Sequence, residues 1–530
     1  MWWLGTAALG ILGFSVVLAW NNTADNDLWA RLAVGARFWH TGTLWSRDVF
    51  AFTPTLPAWI DHEWGAGVIF FTVLKIGGPA GLMLLKILLA LTALGLALDT
   101  ARRRGATPPV LLLAAIPCAW TILPGYVPVI RSHALTYAAF ALMLWLCERI
   151  AAGRRAWWPL IPVLILGWVN VHGGFVTGFL PPAVYALAQS PPCLPRFLQG
   201  RARPKDGSSY AAWPWLALAG GAVVSLLNPW GWRFFSYLVP ALLRPRPRIE
   251  EWSPMPVWNW DAYTGFRILT VVALVMVAAL WRRQDATQQR RLAPALVLLL
   301  LTAAAGWLHR RHAPFFGLAA AALLPALVTR GPGGRPAAKC LTLLFGGLTA
   351  GLLLRFLPGA SFAVLAPIGI FPVRECDILL RAGFDGNVAV PFDWGSYAAW
   401  RLYPRLKISM DGRYEETFPE TTLEANARFY EREGADWDRL VRDNRVDFVI
   451  VNHRRTRLTP VDLSALGFVP VYLHPLSSLW ARPATAARLR ATADALPDST
   501  IEPLDPAIPA RWPWRSQPAI LTSVHEHARQ

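Results

Sequence analysis

Charge is scarce in this chain. Only 16% of its 530 residues are Asp, Glu, Lys or Arg, where soluble domains carry about a quarter. Hydrophobic residues make up 54% and gather in runs such as Gly81–Leu98, Leu292–Trp307 and Leu341–Leu354. That pattern excludes an ordinary soluble globule and indicates a polytopic membrane protein. Cysteine is scarce as well. Cys118, Cys147, Cys193, Cys340 and Cys376 have no CxxC spacing and mostly lie in or beside apolar runs, so neither a metal centre nor a disulfide framework follows. Residues 1–20 lack a basic leader region and a small-residue cleavage site, and they read as an uncleaved first span. Acids are few too, 33 against 51 Lys and Arg, giving a net charge of +18. The arginines fall in short loops between apolar runs, which the positive-inside rule accounts for; nucleic acid is not an expected partner.

Spans are predicted at about 2–20, 80–99, 108–124, 132–150, 157–171, 174–189, 211–227, 264–281, 292–308, 313–329 and 339–356, eleven in all. The piece Trp64–Leu74 is too short to span and ends at Gly77-Gly78-Pro79; it reads as an interfacial half-helix or a lead into the second span. With the amino terminus inside, every inner loop is basic: Arg102, Arg103 and Arg104; Arg149, Arg154 and Arg155; Arg196, Arg201, Arg203 and Lys205; Arg282, Arg283, Arg290 and Arg291; Arg330, Arg335 and Lys339. Most acids near spans then lie outside: Asp25, Asp27, Asp48, Asp61, Glu63, Glu250, Glu251 and Asp261.

The expected organisation is a transmembrane domain over 1–356, with a polar first outer loop over 21–64. An extracytoplasmic α/β domain over 357–495 follows, then a proline-rich, extended or poorly ordered tail over 496–530. Strands are predicted at Asn387–Pro391, Asp447–Val451 and Val469–Leu473, and a helix over Thr421–Arg442. The location is the inner membrane, multi-pass, with the carboxyl-terminal domain outside.

Carboxylates beside membrane spans call for a reason. Asp25 and Asp27 can accept a proton or hold a hard cation such as Mg2+ or Mn2+ through oxygen. Other polar residues at span ends fall on the same outer side: Arg131 and His133, Asn170 and His172, Asn228, Glu250 and Glu251, and His309 to His312. Segregation to one face suggests a shared aqueous cavity. Arg131 and Arg311 can clamp a phosphate bidentately. An acid with a phosphate clamp suits displacement at a sugar carbon whose leaving group is a lipid phosphate.

ADNDLWARLAVG, FAFTPTLPAWIDHEW, RSHALTYAAFALML, WVNVHGGF, NPWG and EEWSP, in that order, resemble the bacterial GT-C-type glycosyltransferase-like membrane proteins. VPFDWGSYAAWRLYP and ISMDGRYEE look like their outer domain. The resemblance implies a sugar donor on a polyprenyl phosphate, membrane lipids as partners, and chemistry at the outer face. It implies an inverting transfer with Asp27 as base and Asp25 as second acid or metal ligand. His62, Glu63, Arg131, His172, Asn228, Glu251 and Arg311 are the candidate substrate-binding residues.

Each has a plainer reading. Asp25, Asp27, His62 and Glu63 suit helix caps and first turns. Arg131 can snorkel to the headgroups, His172 and Asn228 suit turns, and Glu250 and Glu251 suit surface ion pairs with Arg244, Arg246 and Arg248. Asp393, Asp411 and Arg413 read as structural turn residues, with acceptor binding as the alternative. Different functions also stay open: a non-enzymatic lipid-glycan binder, a transporter, or a polysaccharide polymerase or ligase acting on lipid-linked glycans. Transport would favour ionisable groups through the depth of the spans.

Overall fold

The computed structural model describes residues 2–188, 212–246, 249–328, 335–496 and 501–514. Cys193, the loop with Arg196 to Lys205, Arg248, Arg330 and the tail after Trp514 lie outside them. The chain forms two compact units, Met1–Asn22 with Leu84–Phe362, and Thr23–Met83 with Ala363–Gln530.

The first unit is helical. Over the described residues of the whole chain, six helices are long and apolar enough to cross a membrane and six more apolar helices are shorter. This is a membrane protein with a polytopic helical architecture. Every predicted span corresponds to a helix, and Arg233–Leu243 adds an eleven-residue helix that was not predicted as a span. The short piece from Trp64 leads into the second span as one helix, Trp64–Arg103, broken only at Gly78 (φ 61°, ψ −163°). Glycine accepts that left-handed backbone, and Pro79 restarts the helix where its missing N–H is not needed. Lys86 is fully buried in this helix. Its ammonium is held by the carbonyls of Asn21 at 2.6 Å and Val127 at 3.4 Å, partners that allow a charge among apolar spans.

The second unit is built on a five-stranded sheet. Its strands are β2 (Gly386–Ala389), β3 (Leu406–Ile408), β4 (Phe448–Asn452), β5 (Val469–His474) and β6 (Ser477–Ala481); β1 (Leu365–Pro367) lies outside it. The order is β3-β2-β4-β6-β5. β2 runs parallel to β3 and β4, whereas β6 is antiparallel to β4 and β5. Both faces of β4 are buried, which its apolar FVIV sequence requires. The core beside it includes Ala389, Phe429, Val449, Val451 and Trp480.

The predicted helix over Thr421–Arg442 is two, Glu420–Glu431 and Arg439–Arg442. Left-handed Arg432 (φ 56°) and Gly434 (φ 82°) end the first, as at many helix termini. The proline-rich segment is ordered through Trp514. β7 (Ile501–Pro503) pairs antiparallel with β1, and Trp512 packs edge-on against Phe50, Trp400 and Tyr403. Buried aromatic area there outweighs the weak local propensity.

The polar loop belongs to this second unit. Ala24 N–H donates to the Leu365 carbonyl at 2.8 Å, Phe52 N–H to the Ile408 carbonyl at 3.0 Å, and Ile408 N–H to the Phe50 carbonyl at 2.9 Å. The loop thus covers the open edge at β3, which would otherwise present unpaired backbone groups. Arg413 fastens the same loop, with Asp48 at 2.5 Å and Asp411 at 2.8 Å and all three side chains 1% exposed. The structural reading of Asp411 and Arg413 is the one this geometry supports.

Candidate functional site

In the second unit, the helix Leu28–Thr41 follows the acidic pair directly. It crosses the helix from Trp64 through glycines. A Cβ on Gly35 would stand 2.1 Å from the Gly67 carbonyl oxygen, and one on Gly67 2.5 Å from that of Arg31. Small residues allow this backbone approach, and it sets Arg31 beside the residues preceding Trp64. Arg31 is 4% exposed, bonded to Asp61, 3.4 Å from Glu63 and 3.7 Å from Glu416. Burial alone would lower its pKa, yet Asp61, Glu63, Glu416 and Asp27 raise it overall.

His62 Nδ1 lies 2.5 Å from Glu416 Oε1, and its Nε2 lies 3.7 Å from Glu63. Burial disfavours the imidazolium, but Glu416 and Glu63 outweigh it and lift the pKa to about 9. Burial in turn pushes the Glu416 carboxyl up, with His62 and Arg31 opposing it. Trp59 Nε1 also donates to Glu416, at 3.2 Å.

The two aspartates take different roles. Asp25 is 6% exposed, and its Oδ1 accepts the Asp27 N–H at 3.0 Å, closing the turn before the helix. Asp27 occupies the cap position but makes no side-chain cap hydrogen bond. Its carboxylate lies instead against the Asp411–Arg413 turn, where a Cβ on Gly412 would stand 2.7 Å from Asp27 Oδ1. A favoured capping residue that does not cap is held in another geometry.

In the first unit, Arg131, Glu251 and Arg311 meet at one cleft. Its lining includes His133, Tyr137 and Arg310. Arg131 pairs with Glu251. Burial pushes the Glu251 carboxyl up, but the Arg131 and Arg311 guanidiniums reverse this and leave it below its ordinary value. Arg311 stacks over the Trp252 ring at 4.4 Å and bonds to His133 Nε2; since a guanidinium only donates, that ring nitrogen accepts. Tyr137 donates to the Arg311 carbonyl at 3.2 Å, and Arg310 pairs with Glu250 at 2.6 Å. Three guanidiniums and one carboxylate thus line the cleft, an arrangement that can receive an anion.

His172 and Asn228 serve turns. His172 Nδ1 accepts the Gly174 N–H at 3.0 Å and lies 2.8 Å from Thr136 Oγ1, while its ring packs 4.4 Å from His133. Asn228 donates to the Ser225 and Gly231 carbonyls and accepts the Trp230 N–H.

No protein-family model matches the sequence, and no curated protein does. Among solved structures, the chain is similar to the archaeal oligosaccharyltransferase AglB from Archaeoglobus fulgidus in complex with an inhibitory peptide and a dolichol-phosphate. That likeness has a TM-score of 0.54 and 12% identity, and it covers 96% of this chain and 77% of the other. ArnT from Cupriavidus metallidurans bound to undecaprenyl phosphate gives a TM-score of 0.49 at 14% identity, over 92% of this chain and 98% of the other. The fold is GT-C-like.

Sequence reasoning did not include Arg31 or Glu416 among the site residues. A lone arginine among the apolar residues of LWARLAVG was the available signal for the first. Nothing local marks Glu416, whose partners His62 and Trp59 lie more than 350 residues earlier in the chain.

Proposed function

We propose that this protein is an inverting glycosyltransferase of the inner membrane. It moves a sugar from a polyprenyl-phosphate-linked donor to an acceptor at the extracytoplasmic face, where the second unit lies. Asp27 takes the proton of the acceptor hydroxyl as that oxygen bonds to the anomeric carbon. The bond from that carbon to the phosphate oxygen breaks, and the lipid phosphate departs with the electron pair. Separately, the first-unit guanidiniums of Arg131 and Arg311, directed by Glu251 and Trp252, can hold a phosphate.

The observation that carries this reading is the division of labour in the acidic pair: Asp25 holds the turn, whereas Asp27 leaves its helix uncapped and lies over Gly412. The GT-C-like fold supports it, and the dolichol-phosphate in the AglB structure supports a lipid-phosphate donor. The pair offers hard oxygen donors of the kind Mg2+ or Mn2+ takes, so Asp25 and Asp27 would hold such an ion, although one Asp25 oxygen already accepts the Asp27 N–H. When bound, the ion would supply Lewis-acid stabilisation of phosphate charge.

The test is Asp27→Asn in membranes of matched expression, following labelled sugar out of the polyprenyl-phosphate pool. A fall of about 10²–10⁴-fold is expected for loss of a general base, with an unchanged melting temperature. Wild-type turnover in that variant would remove Asp27 from the chemistry.

A further inference from the structure

Residues 250–263 of the first unit form a loop that leads into the helix Thr264–Leu280. Both ends of the loop belong to the arginine cleft, since Glu251 pairs with Arg131 and Tyr263 is in the lining. Two arginines clamp the loop. Arg310 pairs with Glu250 at 2.6 Å, and its backbone N–H donates to the Ser253 carbonyl at 3.2 Å. Arg267, 7% exposed, pairs with Asp261 at 2.7 Å and donates to the carbonyls of Pro256 and Asn259. Met255 N–H donates to the Trp307 carbonyl at 2.9 Å, which ties the loop to the helix Ala286–Leu308.

Between these clamps the tip is Val257-Trp258-Asn259-Trp260, a segment without charge. Trp258 is 90% exposed, Trp260 89% and Val257 58%. Apolar surface displayed on a fastened loop marks an interaction site. What covers it follows from the helix that comes next. The apolar span Thr264–Arg283 has 20 residues, about 30 Å at 1.5 Å each, which is the thickness of the hydrocarbon core. Along it Ile268, Val271, Val272 and Val275 are exposed while Phe266, Leu269, Thr270 and Ala273 are buried, so one face meets lipid. With this span in the bilayer, Thr264 stands at the hydrocarbon boundary and the two tryptophans lie a few residues outward. At that level an indole keeps its ring in an apolar layer and its N–H near polar headgroups.

We infer that the Val257–Trp260 tip is a preformed anchor that inserts into the lipid headgroup layer. With the orientation read from the basic loops, the leaflet is the outer one. Because both ends of the loop line the arginine cleft, the anchor holds the rim of that cleft at the level of lipid phosphates. The inference rests on the loop and its span, and it stands without the glycosyl transfer proposed above.

The experiment places an environment-sensitive fluorophore on Asn259→Cys in the full-length chain, reconstituted into vesicles of phosphatidylethanolamine and phosphatidylglycerol. Labelling of the unsubstituted chain, which has five cysteines of its own, is subtracted. The quenchers are a nitroxide on the lipid headgroup and iodide in the water on both faces. The label should be quenched by the nitroxide and lose most of its iodide quenching. Trp258→Ser combined with Trp260→Ser should reverse that order at an unchanged melting temperature, because Arg267 and Arg310 still clamp the loop. Full iodide quenching of the label beside intact tryptophans overturns the proposal. Shielding from iodide without nitroxide quenching overturns it too, since a glycan or a second copy of the chain would then cover the tip. So does a double-serine variant that keeps the original pattern, which would show that the indoles are not the anchor.

Discussion

In the second unit one buried arginine is surrounded by acids; in the cleft of the first unit one acid is surrounded by arginines. Arg31 faces Asp61, Glu63 and Glu416, whereas Glu251 faces Arg131 and Arg311. In each, the minority ion orients the majority and cannot neutralise all of it. The surplus therefore sets what a ligand meets, negative charge in one unit and positive in the other. Proton acceptance suits the first surplus and phosphate recognition the second.

The comparison breaks most visibly at its minority ions. Arg31→Met leaves Asp61 without its cation and only His62 to face Glu63 and Glu416, and removing one partner of a buried pair costs about 3–5 kcal/mol. Thermal unfolding of the full-length chain in detergent should show a drop of that order; an unchanged melt would mean that Arg31 does not hold the acids.

The majority charges of the cleft should affect binding more than folding. Arg131→Gln and Arg311→Gln should each raise the KM for a polyprenyl-phosphate sugar by about 10–100-fold, the worth of one hydrogen bond to a charged group at roughly 1.5–3 kcal/mol. Steady-state kinetics in which neither KM nor kcat changes would remove these guanidiniums from the reaction.

His62 ties the acidic cluster to pH. Its pKa rises from 6.5 unfolded to about 9 folded, so its stabilisation is complete below pH 6.5 and is lost as pH climbs through 9. About 1–3 kcal/mol should disappear across that window, discounted because water reaches a fifth of the side chain. Unfolding measured at pH 6, 7.5 and 9 should show the decline in wild type and a flatter profile in His62→Gln.

The smallest changes sharpen the contrast within the acidic pair. Asp25→Asn keeps an oxygen for the Asp27 N–H and should leave the melting temperature nearly unchanged. Gly412→Ala pushes a methyl toward the Asp27 carboxylate and should slow transfer by about tenfold, since misplacing a catalytic group by about 1 Å can cost up to about 100-fold. Equal rates for Gly412→Ala and wild type would show that the carboxylate does not depend on the Asp411–Arg413 turn.

Much of this architecture is legible in the sequence because hydrophobic runs report directly on helices long enough to span. The short apolar runs in FVIVN and VPVYLH similarly announce strands. Local reading failed where distant partners override propensity. The EPLDPAIPARWPW segment reads alone as extended or poorly ordered; Ile501–Pro503 is extended, and β1 and the aromatic cluster around Phe50 and Trp400 order the segment. His172 and Asn228 show the reverse case, in which the turn suggested by neighbouring glycine and proline is the arrangement found.

The amino-acid order alone determined the helical membrane character, the acids beside the spans and a mixed α/β segment after them, because burial and periodicity are local quantities summed along the chain. Only the tertiary structure decided that Arg31 would sit among Asp61, Glu63 and Glu416, that Asp25 rather than Asp27 would hold the turn, and that the first polar loop would close the edge of a sheet formed more than 300 residues later. Those outcomes depend on which charges share a space of low dielectric, and that is fixed when remote segments pack together.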